Sequence, residues 1–324
     1  MSENIMPIDV VITWVDGDDS EHKAKRRRYS NADELVNDDV GGDIRFTSIG
    51  EINYCVASIL RFAPFVRKIF IVTDNQDPCL DDFLDQHFPD RKTEIEIVDH
   101  KVIYRGYESY LPVFNSLSIE TMLWRIPGLS DHFVYFNDDV LLSAPVQPED
   151  FFVGDSLVCY ASRRSCSWAR FLRWAKHLKR GHKAFGFKDA MINAADRAGI
   201  SSHFLNLGHT PHIVLRDVLE TFYEEHPDAL VANMQHRFRE PSQFNPQELC
   251  YLLAEQQGRG VVKSKKGVYL YIYPKNRPGY VDAKLRKFDA APDAKFLCIN
   301  SISNAKPEEL EKILHWLDRR LHLV

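Results

Sequence analysis

The chain has 324 residues, 44% of them hydrophobic, and a net charge of −5. That is enough apolar material for one large domain or two smaller ones, and the acidic balance excludes a wholesale nucleic-acid binder. No run approaches the roughly 18 apolar residues that cross a bilayer.

The six cysteines (Cys55, Cys79, Cys159, Cys166, Cys250, Cys298) form no CxxC pair. In a chain of this length they are expected to be reduced thiols. The start, Met1-Ser2-Glu3-Asn4, lacks the basic and apolar runs of a signal peptide, so a cytoplasmic protein is expected.

The first element, residues 8–15, is β-branched and apolar and reads as a buried strand that ends in Asp16-Gly17-Asp18-Asp19. Residues 21–45 are polar and charged, which predicts a loop over the surface or the site. Ser48 and Glu51 have capping-box spacing ahead of a helix whose apolar face is Ile52, Cys55, Val56, Ile59 and Leu60. Residues 68–73 read as a second strand, ending in Asp74-Asn75, then 79–88 as a short helix and 94–98 as a third strand. A helix over 115–125 follows.

Next comes Phe133-Val134-Tyr135-Phe136-Asn137-Asp138-Asp139-Val140, an apolar strand that stops in an amide and two carboxylates. Burying such groups without partners costs roughly 2–7 kcal/mol for each neutral one and more for a charge. They are therefore expected to leave the sheet at its end. Paired carboxylates there suit a hard divalent cation, although Asn and Asp are also ordinary residues of a solvated turn.

The order β-α-β-α-β-α-β predicts an α/β fold with a mainly parallel, Rossmann-type sheet and helices on both faces. Ligands in such sheets bind at the carboxyl ends of the strands. Three of the four strands end in acid or amide there, which points to a cation and a polar ligand together. No GxGxxG follows the first strand and no GxxxxGK[ST] occurs, so neither a dinucleotide fingerprint nor a P-loop is supported.

Residues 156–188 contain nine Lys or Arg and no acid, including Arg163, Arg164, Arg170, Arg173, Lys176, Lys179 and Arg180. Trp168, Phe171, Leu172, Ala175 and Leu178 recur at helical spacing within them. This is a basic amphipathic helix: either a surface helix with its apolar face in the core, or a site for an anionic partner. Two histidines flank a proline in His209-Thr210-Pro211-His212, and His236-Arg237-Phe238-Arg239 follows. A His-x-x-His pair binds metal in some proteins, but general acid–base work is at least as compatible. Strands at 269–273 and 296–299, the latter ending in Asn300-Ser301, precede a helix at 307–321 that opens on proline.

In this order the motifs resemble the Stealth family of sugar-phosphate transferases, which includes capsule polymerases and a GlcNAc-1-phosphotransferase. Residues 9–17 (DVVITWVDG) are similar to its first block. Arg45-Phe46, Glu51-Ile52, residues 69–73, Phe114-Asn115-Ser116, Ile119-Glu120, Arg125-Ile126 and Asn137-Asp138-Asp139 are similar to its second. His209 to His212 with Arg239 are similar to the third, and Leu297-Cys298-Ile299-Asn300 to the fourth. Asn53 and Ala57 depart from the arginines usual after Glu51, and Ser301 departs from the acid usual after Asn300.

The resemblance implies a GT-A-like fold with a helical, basic insertion. Residues 1–150 would form a nucleotide-sugar-binding half and 151–324 an acceptor and catalytic half, together completing one catalytic domain. It implies transfer of a hexose-1-phosphate, such as an N-acetylhexosamine-1-phosphate, from a UDP-sugar to a saccharide or polysaccharide hydroxyl, with release of UMP.

Asp138 and Asp139 are expected to hold Mg²⁺ or Mn²⁺, and Asp16 nucleotide or metal. Arg45 and Arg239 would bind phosphate, and His209 or His212 would act as base. Asn115, Glu120, Arg125, Asn137, Arg237 and Asn300 would contact substrate. The basic 163–188 segment would meet the acceptor or an anionic membrane at the cytoplasmic face. An ordinary UDP-releasing glycosyltransferase and a non-catalytic sugar- or polyanion-binding protein are the alternatives.

Overall fold

A computed structural model describes residues 6–30, 49–180, 186–275 and 277–324, excepting the side chains of 173 and 175–180. In chain order the strands are β1 (Ile8–Thr13), β2 (Val66–Thr73), β3 (Glu94–Asp99), β4 (His132–Asn137), β5 (Val140–Leu142), β6 (Phe152–Val153), β7 (Ser156–Ser165), β8 (His203–Leu207), β9 (His212–Leu215), β10 (Gly260–Lys263), β11 (Tyr269–Ile272) and β12 (Phe296–Ile299). The α-helices are α1 (Ser20–Tyr29), α2 (Glu51–Phe62), α3 (Asp81–His87), α4 (His100–Ile103), α5 (Ser116–Glu120), α6 (Cys166–Arg180), α7 (Phe187–Arg197), α8 (Arg216–Glu225), α9 (Pro227–Met234), α10 (Pro246–Gln256), α11 (Tyr280–Asp289) and α12 (Pro307–Arg320).

The central sheet has the order β3-β2-β1-β4-β9, parallel except for β9. Its apolar runs follow from burial on both faces: Val10, Val11, Ile12, Ile69, Ile71, Val72, Val134 and Phe136 are all inaccessible. Thr13 pairs with both Val72 and Asn137, and Thr73 pairs with Asp99, so the four parallel strands end on one edge. At the opposite edge, buried Asp9 accepts from Arg67 Nε at 2.8 Å and from Ser130 N at 2.8 Å.

The two stretches 1–150 and 151–324 are interleaved. β9 extends the central sheet, and β12 pairs antiparallel with β5 and parallel with β11. β7 carries β10 and β8 on its two sides, with β6 folded back at its start. α2 is anchored to β5 by the Ser58 hydroxyl, which accepts from Leu142 N at 3.0 Å.

Three local expectations need correction. Part of the stretch read as loop is α1, because Asp19 accepts from His22 N at 2.7 Å and caps a helix that the charged composition had disguised. Ser48 lies outside the described residues. α2 starts at Glu51 on an N-cap Gly50 with φ 89°, so Glu51 is the first helical residue and not the third member of a capping box. The expected helix over 115–125 is α5 followed by a separate 3₁₀ turn, Leu123–Arg125.

Candidate active site

A cleft of about 500 Å³ opens at the carboxyl ends of β1 and β4. Small-molecule sites commonly measure roughly 300–1,000 Å³. Its lining comes from far-separated stretches: Thr13 at the end of β1 and Trp14 after it, Glu51 from α2, Asn115 ahead of α5 and Glu120 at its end, Tyr135 and Asn137 from β4, and Asp138 and Asp139 just beyond it. Phe187 of α7, His209, His212, Arg239, Gln247 of α10, Asn300 and Ser301 join them.

β4 supplies the core of this arrangement. Its two-residue repeat sets Tyr135 and Asn137 on one face. The Tyr135 hydroxyl lies 2.7 Å from Asn137 Oδ1, 3.1 Å from Glu120 Oε1 and 2.9 Å from Thr13 Oγ1. With one proton it donates to one of the first two, and the Thr13 hydroxyl can donate to it. Burial raises the Glu120 carboxyl above its ordinary range, and Arg239 pulls it back.

Asp138 and Asp139 stand where the chain leaves β4. Asp138 is pushed well above the usual carboxylate range, first by burial and then by Asp139 and Glu51. Asp139 is raised to about 6, mainly by burial, with Glu51 adding to it. Hydrogen bonds oppose that shift: Asn300 Nδ2 donates to Asp139 Oδ2 at 3.2 Å, and Cys298 Sγ does so at 3.6 Å. Glu51 itself accepts from Ile49 N at 2.6 Å.

The two histidines differ sharply. His212 lies on β9 opposite Tyr135, its ring 6.2 Å from the tyrosine ring, and burial with His209 lowers it to about 3. His209 is solvent-accessible but sits between the rings of Phe187 (6.1 Å) and Tyr271 (5.4 Å). That packing, together with nearby Lys265, lowers it from the ordinary histidine value. Both are neutral bases at pH 7, and His209 is the accessible one.

Arg239 is the only Lys or Arg among the described residues lining the cleft. It donates to Ser116 Oγ at 3.3 Å. Its loop is fixed by Asn115, whose Nδ2 donates to the Phe238 carbonyl at 2.9 Å and to Gln243 Oε1 at 2.7 Å while Oδ1 accepts from Leu117 N at 3.2 Å. Asn115 lines the cleft, yet its amide is spent on holding Arg239's loop.

Other expected residues lie elsewhere. The Asp16 carboxylate is not in the lining; it accepts from Asp18 N at 2.8 Å and closes its own turn. Arg125 is used inside the fold, donating to the carbonyls of Ile103 at 2.6 Å and Arg105 at 2.7 Å. Arg237 lies over the Tyr29 ring at 4.8 Å, outside the lining. Arg45 falls outside the described residues.

Glu51, Tyr135 and Gln247 were not singled out as site residues from the sequence. The period of β4 could have flagged Tyr135, since it shares a face with Asn137. Gln247 carries no sequence signal. His100, also in the lining, is buried with no hydrogen-bond partner on either ring nitrogen and is pushed down to about 4, chiefly by burial.

Among the described residues, no three His, Cys, Asp or Glu side chains form a set able to hold an ion unaided. The donors nevertheless fit a hard cation whose shell a ligand completes. Four carboxyl groups (Glu51, Glu120, Asp138, Asp139) line the cleft against one arginine, and Asp138 and Asp139 both disfavour their charged forms. An added cation would reverse that preference.

Fold and cleft together define an α/β protein with paired carboxylates at the carboxyl end of a central parallel strand. The sequence matches "Stealth protein CR1, conserved region 1" over residues 6–34 and "Stealth protein CR2, conserved region 2" over residues 45–159. The chain belongs to the Stealth family.

It is 30% identical over 259 residues to the receptor polysaccharide phosphotransferase WefC of Streptococcus gordonii, covering 74% of this chain and 75% of that one. It is 32% identical over 303 residues to the exopolysaccharide phosphotransferase SCO6023 of Streptomyces coelicolor, covering 91% of this chain and 47% of that one. The chain thus spans about half the length of several curated relatives it matches. Among solved structures, the galactosyltransferase LgtC with donor and acceptor sugar analogues is similar at 10% identity and TM-score 0.45, over 96% of this chain and 95% of that one.

Proposed function

We propose that this protein transfers a hexose-1-phosphate, such as an N-acetylhexosamine-1-phosphate, from a UDP-sugar to a sugar hydroxyl, forming a phosphodiester in a surface polysaccharide and releasing UMP. The observation that carries the reading is the Asp138–Asp139 pair in a polar cleft that also holds His209 and Arg239. The relatives' names, exopolysaccharide and receptor polysaccharide phosphotransferase, support it.

In this reading the acceptor oxygen attacks the β-phosphorus. The bond from that phosphorus to the bridging oxygen breaks, and UMP leaves with the oxygen. His209 takes the hydroxyl proton; it is accessible and neutral at pH 7, whereas His212 is too weak a base. Arg239 forks onto phosphate oxygens. Asn137, set by Tyr135, and Glu120 orient the donor, and Asn300 fixes the Asp139 carboxylate. Asp138 and Asp139 would hold Mg²⁺ or Mn²⁺, which when bound supplies positive charge to the diphosphate.

The experiment is a panel of UDP-sugars offered with saccharide acceptors, scored by the nucleotide formed. UMP is the expected product. UDP with a plain glycosidic bond would instead identify an ordinary glycosyltransferase.

A further inference from the structure

α6 begins where β7 ends with Cys166 buried at its start, but among its described side chains the large apolar ones face solvent. Trp168 is 62% exposed, Phe171 51%, Leu172 43% and Trp174 58%. For Trp168, Phe171 and Leu172 this overturns the expectation of an apolar face in the core; the side chains of Ala175 and Leu178 lie outside the described ones. A contiguous exposed apolar patch of this kind marks an interaction surface.

Its charge identifies the partner's sign. Residues 156–188 carry nine positive charges and no negative one in a chain of net −5, so the remainder carries −14. Arg163 and Arg170 each engage an acid on a neighbouring element, Glu255 and Asp196, while Arg164 and Lys188 are exposed. An anionic surface would repel the body and attract this segment, which fixes the orientation of approach.

Two anionic partners share that chemistry: a polysaccharide and a lipid bilayer. The packing favours the bilayer. The Trp168 and Phe171 rings stack on each other at 5.5 Å, and Phe171 and Trp174 lie 5.9 Å apart, so their faces are partly spent on one another and less open to sugar rings. Leu172 offers a sugar neither a ring face nor a polar group. A helix with Trp, Phe and Leu beside Lys and Arg suits the boundary between headgroups and acyl chains.

We infer that α6 docks on an anionic lipid surface. Among the described residues no helix is long and apolar enough to cross a membrane, so the contact is peripheral. Phe187, which packs against His209, follows the end of α6 by seven Cα-to-Cα steps, a length that spans roughly 25 Å at most. Docking therefore holds the mouth of the cleft near the lipid headgroups, whatever the cleft transfers.

The test is co-sedimentation with phosphatidylcholine vesicles containing roughly one-third phosphatidylglycerol, using the whole chain. Binding is expected at low salt, with none to pure phosphatidylcholine. Arg173→Gln, Lys176→Gln and Lys179→Gln together should weaken it on the order of a hundredfold, since each basic residue near such a surface is worth about 1 kcal/mol. Trp168→Ala, Phe171→Ala and Trp174→Ala together should weaken vesicle binding at least about tenfold while leaving binding to soluble heparin unchanged.

Thermal melting checks that both variants fold; should the aromatic variant not fold, the charge variant decides. Failure of the wild type to bind the anionic vesicles overturns the inference. So does an aromatic variant that binds vesicles like wild type, which would make the segment a polyanion track only. A wild-type dimer that the aromatic substitutions dissociate overturns it too, because the patch would then be covered by a second copy.

Discussion

Asp139→Asn should make the cation-free protein more stable at neutral pH. The Asp139 carboxyl is raised from 3.8 to about 6 in the folded protein. Between pH 4 and pH 6 the folded state therefore keeps a proton that the unfolded state has released. This group costs nothing below pH 4, its cost grows as pH rises through 6, and it is fully present at pH 7. Two pKa units correspond to roughly 3 kcal/mol. The asparagine carbonyl can still accept from Asn300 and Cys298, so the substitution removes charge without orphaning either donor. At roughly 2 °C per kcal/mol for a chain of this size, the melting temperature should rise by about 6 °C. The assay is calorimetry in EDTA at pH 4 and pH 7: a gain at pH 7 that vanishes at pH 4 is expected. A variant no more stable than wild type at pH 7, or equally shifted at both pH values, refutes the reasoning.

The same cost of burying charged carboxylates predicts that Mg²⁺ or Mn²⁺ raises the melting temperature of the wild type but not of Asp138→Asn/Asp139→Asn, and that EDTA abolishes transfer; full activity in EDTA would remove the cation from the account. At saturating cation, kcat should be level at neutral pH and fall as His209 protonates below its lowered pKa. His209→Ala should lower kcat by about 10²–10⁴-fold and erase that acid limb, whereas His212→Gln should leave the limb in place. Asn115→Ala removes a helix cap and the side-chain amide's hydrogen bonds to Arg239's loop. It should cost about 2–3 kcal/mol in urea unfolding and raise the donor KM, and an unchanged KM would separate Asn115 from Arg239.

The parallel strands and the edge on which they end were legible because burial on both faces leaves unbroken apolar runs that stop where polar residues begin. Asn137, Asp138 and Asp139 fell out of the same argument. Asp16 did not reach the cleft, because an acid at a strand end is as often spent on its own turn. Arg125 and Arg237 share a residue type with Arg239, but sequence does not tell a guanidinium that binds main-chain carbonyls or an aromatic ring from one that faces a ligand. Glu51 and Gln247 join the cleft only through long-range packing of α2 and α10. The solvent-facing aromatics of α6 have the same spacing as a buried stripe, and only the tertiary structure distinguishes the two.

Whether the acceptor attacks the β-phosphorus or the anomeric carbon of the donor sugar decides the account. A UDP-sugar labelled at its β-phosphate would be incubated with a saccharide acceptor and Mg²⁺ or Mn²⁺, and the label followed. The account predicts that the β-phosphate moves to the acceptor, resists alkaline phosphatase as a phosphodiester, and appears in step with unlabelled UMP. Label that stays in released UDP, with sugar but no phosphate on the acceptor, contradicts it.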